Sequence, residues 1–174
     1  PPRKGLDTLV DGVAEPDARV DLTVVGTPAD ESYVGTVRGS VREHGLSDRV
    51  HFAGRLPDDE LAAVLESSHL LAVPSRYEGF GIVYLEGMSF GLPALASLAG
   101  GAGDIVTDGE TGALVPPDDP AAVARELERF DADRDRLAAM GRAASARYEA
   151  HPDWAETTGR VRRLLADVTR EVPA

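Results

Sequence analysis

The stretch Ser75–Pro93, Ser-Arg-Tyr-Glu-Gly-Phe-Gly-Ile-Val-Tyr-Leu-Glu-Gly-Met-Ser-Phe-Gly-Leu-Pro, constrains this chain more than any other. It follows the apolar run His69–Pro74, which reads as a buried strand, then passes Gly79 and Gly81 and enters a short helix. Gly91 stands where a helix-ending C′ residue belongs, and Pro93 blocks continuation. This order of strand, glycine loop and helix favours an anion. The first amides of a helix lack internal partners and carry the positive end of its dipole. Glycines let a phosphate or a sugar ring come close to the backbone. Two carboxylates frame the loop: Glu78 just before it, and Glu86 about one turn into the helix, roughly 6 Å along the axis from Ile82. A carboxylate repels a diphosphate but accepts hydrogen bonds from hydroxyls on either side of one. That suits Glu78 to a sugar and Glu86 to a ribose.

Elsewhere strands alternate with helices. Leu6, Leu9, Val10 and Val13 form an apolar stripe at helical spacing, so a helix starts near Gly5. Asp21–Gly26 reads as the first strand, residues 31–45 as a helix, and Arg49–Gly54 as a second strand. A helix capped near Asp58 or Asp59 then runs to about Ser67. After the central stretch, Pro93–Ser97 reads as a parallel strand and Ala113–Pro117 as a short edge strand ended by prolines. Asp119-Pro120 opens a helix to about Phe130, a second covers 134–149, and Pro152 ends it. Trp154 begins a last amphipathic helix with Val161, Leu164, Leu165 and Val168, and the tryptophan is expected to anchor it on the domain. The alternation implies an α/β fold with a doubly wound parallel sheet. Ligands of such sheets bind at the carboxyl ends of strands, and the glycine loop follows one.

Two glutamates with seven residues between them, the Gly-Phe-Gly loop and the following Gly91-Leu-Pro93 resemble the signature of retaining glycosyltransferases of family 4, which have the GT-B fold. The resemblance extends along nearly the whole chain. Lys4-Gly5 matches the pair that opens the first helix of the family's donor-binding domain. Gly100-Gly-Ala-Gly-Asp104 matches a loop near the donor sugar, with Asp104 where the family carries a glutamate. Asp108-Gly-Glu-Thr-Gly112 and Leu114-Val-Pro-Pro-Asp-Asp119 are family-like as well.

The resemblance implies that residues 1–174 form a Rossmann-like C-terminal donor-binding domain, one half of a GT-B fold, with the terminal helix at 153–174 inside it. An N-terminal acceptor domain would lie outside the chain, together with an arginine that the family carries upstream of the lysine. The implied substrate is a nucleoside diphosphate sugar of UDP or GDP type. Lys4 and the backbone of Gly79, Phe80, Gly81 and Ile82 would hold its diphosphate, and Glu86 its ribose. Glu78 would act with Lys4 in catalysis by orienting the sugar, and the loop at Leu56 would hold the base through backbone groups. In this family the lysine and a helix dipole do the work a metal does elsewhere, so neither an essential metal nor a cofactor is expected. The isolated domain is expected to bind donor weakly and to transfer little or nothing.

Composition bounds the rivals. A net charge of −12 and a pI near 4.7 speak against nucleic-acid binding, which rests on basic patches. The 18 basic residues are all arginine except Lys4, as expected of a GC-rich genome. The absence of cysteine removes any disulfide framework or thiolate metal site. His51 and His69 have no second ligand at metal-binding spacing and read as structural. No apolar run approaches the roughly 20 residues of a membrane span. The chain is therefore expected in the cytoplasm or peripherally on the inner membrane face. It starts at Pro1 without a methionine, which reads as a fragment.

A dinucleotide-binding oxidoreductase would share the fold, but the first strand leads into Gly26-Thr-Pro-Ala-Asp30, without Gly-x-Gly-x-x-Gly. A non-hydrolysing sugar-nucleotide epimerase is the nearer rival, and the motif matches the transferases better. A non-catalytic domain that kept the fold is the third reading. Against it, the intact glutamate pair argues for donor binding.

Overall fold

The computed structural model describes residues 1–15, 20–152 and 154–170, with the side chains of residues 154 and 167–170 outside that description. In chain order the elements are α1 (Leu6–Ala14), β1 (Leu22–Val25), α2 (Glu31–Glu43), β2 (Val50–Gly54), α3 (Asp58–Ser67), β3 (Leu71–Val73) and α4 (Ile82–Ser89). They continue with β4 (Ala94–Ser97), β5 (Gly112–Val115), α5 (Pro120–Ala132), α6 (Arg134–Glu149) and α7 (Trp154–Arg170). Short 3₁₀ turns occupy Pro2–Lys4 and Gly101–Asp104. Asp30, Asp119 and Asp133 cap α2, α5 and α6, each accepting a backbone amide of the first turn.

All strand pairing is parallel, as the alternation predicts, but the described strands form two sheets rather than one. β1 pairs with β2, and β3-β4-β5 form the second sheet, with β5 at its edge. Between β1 and β3 runs a cleft of about 960 Å³. The larger core cluster joins α1, α2, α5 and α6 through Leu9, Val10, Val37, Val123, Leu127 and Met140. The other surrounds α4, with Tyr84 and Met88 fully buried against Ala94, Ala96 and Ile105.

Two local expectations change. Asp58 and Asp59 are not caps: Pro57 holds the N-cap position without a side-chain bond, and the two acids lie inside the first turn with Glu60. There they meet the positive end of the helix dipole. The terminal helix forms, but Val161, Leu164 and Leu165 stay exposed, so this part of its apolar stripe covers no core. The anchoring contact expected of Trp154, and residues 153 and 171–174 of the expected terminal segment, lie outside the described residues. No helix among the described residues is long and apolar enough to cross a membrane.

Candidate donor site

The loop at residues 79–81 is shaped by what lies beneath it and beside it. Gly81 adopts φ 92°, the left-handed region, and a Cβ there would stand 2.7 Å from the Tyr84 ring. Tyr84 anchors α4 by donating its hydroxyl to the Val73 carbonyl at 2.8 Å, which ties the helix head to the end of β3. Burial, and then the charge of the Glu78 carboxylate, push its phenol up to about 12. On the other side the Gly100–Gly101 backbone packs directly on the loop. Gly101 donates to the Glu78 carbonyl at 2.7 Å, and a Cβ on Gly100 would meet that same oxygen at 2.0 Å. Gly79 differs from these glycines, because a Cβ there would meet no protein atom within 4 Å. The fold itself does not demand a glycine at that point. The amides of Gly79, Phe80, Gly81 and Ile82 have no backbone acceptor among the described residues, and they cluster at the head of α4. The side chains of Phe80 and Ile82 point largely to solvent, 51% and 69% exposed. Phe80 also meets the His151 ring edge-on at 6.3 Å.

The two glutamates have different surroundings. Glu78 is buried, and its Oε2 receives Lys4 Nζ at 2.5 Å and Ser75 Oγ at 3.4 Å, with Arg3 Nη1 at 4.0 Å. Burial works to raise the Glu78 carboxyl, but the bond from Lys4 and the charges of Lys4 and Arg3 hold it below its usual 4.5. Gly5 makes this meeting possible. It holds φ 67°, and a Cβ would stand 2.1 Å from the Pro74 carbonyl, so only glycine brings the first turn this close to the end of β3. Glu86 is exposed and lines the cleft together with Lys4, Thr27, Arg55 and Leu56.

The structure thus brings Lys4 and Glu78 into direct contact and sets Lys4, Leu56 and Glu86 around one cleft. Asp104 is exposed in the turn after Gly101, and its carbonyl accepts Arg147 Nη2 at 2.8 Å. Sequence reading missed Ser75 and Arg76. Ser75 is fully buried beside Glu78, and Arg76 bonds Asp7 and Asp118. A partner 69 residues away leaves no local sequence signal.

The chain that carries this site has known relatives. The family model described as glycosyl transferases group 1 matches residues 1–147. Among curated relatives, the D-inositol 3-phosphate glycosyltransferase of Corynebacterium efficiens is 33% identical over 97% of this chain and 41% of its own length. The GDP-mannose-dependent alpha-(1-6)-phosphatidylinositol monomannoside mannosyltransferase of Mycobacterium tuberculosis is 34% identical over 88% of this chain and 42% of its own length. Among solved structures, Anabaena HepE in complex with UDP and glucose superposes with a TM-score of 0.86 at 27% identity, over 96% of this chain and 46% of that one. The sucrose-phosphate synthase of Thermosynechococcus elongatus gives 0.85 at 34% identity, over 97% and 44%. The chain spans about two fifths of the length of these curated relatives, 41% and 42%. Neither an epimerase nor an oxidoreductase is among these matches.

Proposed function

The chain belongs to the group 1 glycosyl transferases, and we propose that it is the nucleotide-sugar half of a retaining enzyme of that family. The donor diphosphate lies at the amides of Gly79, Phe80, Gly81 and Ile82, with Lys4 as its cation. Glu86 accepts the ribose hydroxyls, and the backbone at Leu56 holds the base. Glu78 accepts a hydroxyl of the sugar. In the reaction the bond from the anomeric carbon to the phosphate oxygen breaks, and the electron pair leaves with the diphosphate. The acceptor oxygen takes its place on that carbon, and the acceptor's proton is released. Preorganised amides and an ammonium at the departing oxygen stabilise the charge that develops there. The acceptor site belongs to a domain outside this chain. The chain alone therefore binds donor without transferring sugar, since closure over the donor needs both walls of the site.

The observation that carries this reading is the head of α4: four amides without a backbone acceptor, beside the one lysine of the chain, at a glycine that the fold does not require. The family supports a nucleotide sugar as donor. A named relative uses GDP-mannose and a solved neighbour holds UDP, so both bases belong in the test. The reading assigns the protein to the cytoplasm or to the inner face of a membrane, where a lipid-linked acceptor such as the one in the mycobacterial name would be met. A thermal-shift screen of UDP, GDP, ADP, their sugars and NAD tests it. A nucleoside diphosphate at 100 times its Kd should add about 2.7 kcal/mol of stability. Stabilisation by NAD and by no nucleoside diphosphate would overturn the reading.

A further inference from the structure

Arg76 lies two residues before Glu78, and its bonds tie the 3₁₀ turn at Pro2–Lys4 to the glycine loop. Its amide donates to the Arg3 carbonyl at 2.8 Å and its Nη1 to the Pro2 carbonyl at 2.5 Å. Nη2 donates to Asp7 Oδ2 at 2.8 Å, and Nε forms an ion pair with Asp118 Oδ1 at 2.7 Å. Both carboxylates are themselves held. The Tyr33 hydroxyl, from α2, donates to Asp7 Oδ1 at 2.9 Å, while Thr8 Oγ1 stands 3.5 Å from Asp118 Oδ1. Asp118 adopts φ 54°, alone among the described non-glycine residues in having positive φ. That conformation costs a non-glycine residue free energy and persists where surrounding contacts enforce it. A planar guanidinium presents five donors in a fixed fork, and here it serves one carbonyl and two carboxylates at once.

We propose that Arg76 is a positioning residue for Lys4. Its guanidinium grips the Pro2 carbonyl and its amide the Arg3 carbonyl, and together they hold the turn so that the Lys4 ammonium meets Glu78 beside the glycine loop. The inference deepens the donor-binding reading above and rests on it. The turn needs this support because it is short: its own closing bonds are Lys4 N to the Pro1 carbonyl at 3.0 Å and Gly5 N to the Pro2 carbonyl at 3.1 Å. A lysine on a loose turn would have to be ordered by each incoming ligand, and that ordering subtracts from affinity. Arg76, Asp7 and Asp118 are all partly solvent-exposed, where ion pairs add little to global stability. The network's effect therefore falls on the geometry of the turn.

The test uses the full chain with Arg76→Gln and Asp118→Gly. The second removes a carboxylate but suits the backbone at φ 54°, so it keeps the test intact should the first fail to fold. Binding of a nucleoside diphosphate is measured by calorimetry, and binding of the parent nucleoside by ligand-observed NMR. Arg76→Gln should weaken the diphosphate about tenfold, the scale of one lost charge-assisted hydrogen bond, and leave the nucleoside unchanged. Asp118→Gly should act in the same direction with a smaller effect. In a Lys4→Ala background, Arg76→Gln should add nothing further. Equal losses for nucleoside and diphosphate, or full additivity with Lys4→Ala, would overturn the proposal while leaving donor binding in place. If the unsubstituted chain binds no nucleoside diphosphate, the functional reading itself fails and this inference with it.

Discussion

β4 and β5 are buried more deeply than β1 and β2, and the Gly100–Gly101 backbone that packs on the glycine loop follows β4. All four residues of β4 and three of β5 are buried, whereas β1 and β3 bury none of their residues and β2 only Val50. The glycine loop and the Gly100–Gly101 backbone leave the carboxyl ends of β3 and β4. From the two-stranded sheet come Thr27, Arg55 and Leu56, which line the opposite wall of the cleft. Groups that must hold an anion to fractions of an ångström gain from close-packed support. On the function proposed above, the wall at Leu56 only has to accept a flat base and does not need it. The comparison teaches that precision in this fold is local, concentrated where charge is handled.

Core truncation should separate the halves most clearly. Leu95→Ala removes a fully buried side chain at the middle of β4 and should cost about 3 kcal/mol. Val24→Ala, on half-buried β1, should cost about 1 kcal/mol. Urea unfolding measures both, and equal losses would erase the difference drawn between the sheets.

A second pair lies within the loop. Gly81→Ala meets a left-handed backbone and the Tyr84 ring and should destabilise by about 2 kcal/mol. Gly79→Ala should stay within about 0.5 kcal/mol of the parent, yet weaken a nucleoside diphosphate. Calorimetric melting with and without ligand checks this. A stability loss at Gly79 as large as at Gly81 would mean the fold, not a ligand, requires that glycine.

The glutamates give a third contrast. Glu86→Ala should weaken a bare nucleotide about tenfold, or about 1.4 kcal/mol. Glu78→Ala should leave nucleotide binding nearly intact and, in the enzyme with both domains, lower turnover. Titration of both variants with one nucleotide decides the matter, because equal losses would show the roles to be misassigned.

The smallest effect is a pH dependence. Burial works against ionisation of Asp7 and Glu78, but the bonds and charges of Arg76 at Asp7, and of Lys4 at Glu78, lower both below their usual 3.8 and 4.5. A carboxyl depressed in the folded state adds stability that is fully present above the unfolded value. That stability is lost as pH falls through the lower folded value. The urea midpoint should therefore drop on acidification from about pH 5 to about pH 3, and less so in Arg76→Gln. A midpoint that stays flat over this range would contradict the ion pairs described here.

Much of the fold was legible because it is written locally. Hydrophobic period, the helix start at Asp119-Pro120 and the stop at Gly91 lie within a few residues of what they control, whereas the cap expected at Asp58 or Asp59 falls to Pro57. The glycine loop was legible for the same reason. Its partners were not. Arg76 reaches Pro2 and Asp7 across 74 and 69 residues, and the left-handed Asp118 looks in sequence like one more turn acid. The break between β1 and β3 was hidden too, since both strands have ordinary apolar patterns and their pairing depends on how the helices beside them pack. Nor does spacing reveal that Lys4, assigned to the diphosphate, bonds Glu78.

That last contact has a consequence for how a donor arrives. At the glycine loop Arg3 and Lys4 share Glu78, and Arg76 faces Asp7 and Asp118, so these three positive charges already have negative companions. The chain as a whole carries −12. Its far field turns polyanions away. On the function proposed above, a diphosphate approaches against that field and exchanges places with a carboxylate oxygen on Lys4. Ions in solution shorten the reach of the repulsion to about 10 Å at 0.1 M and less beyond that. For most nucleotide-binding surfaces salt slows capture; here the rate of capture should climb as salt is added.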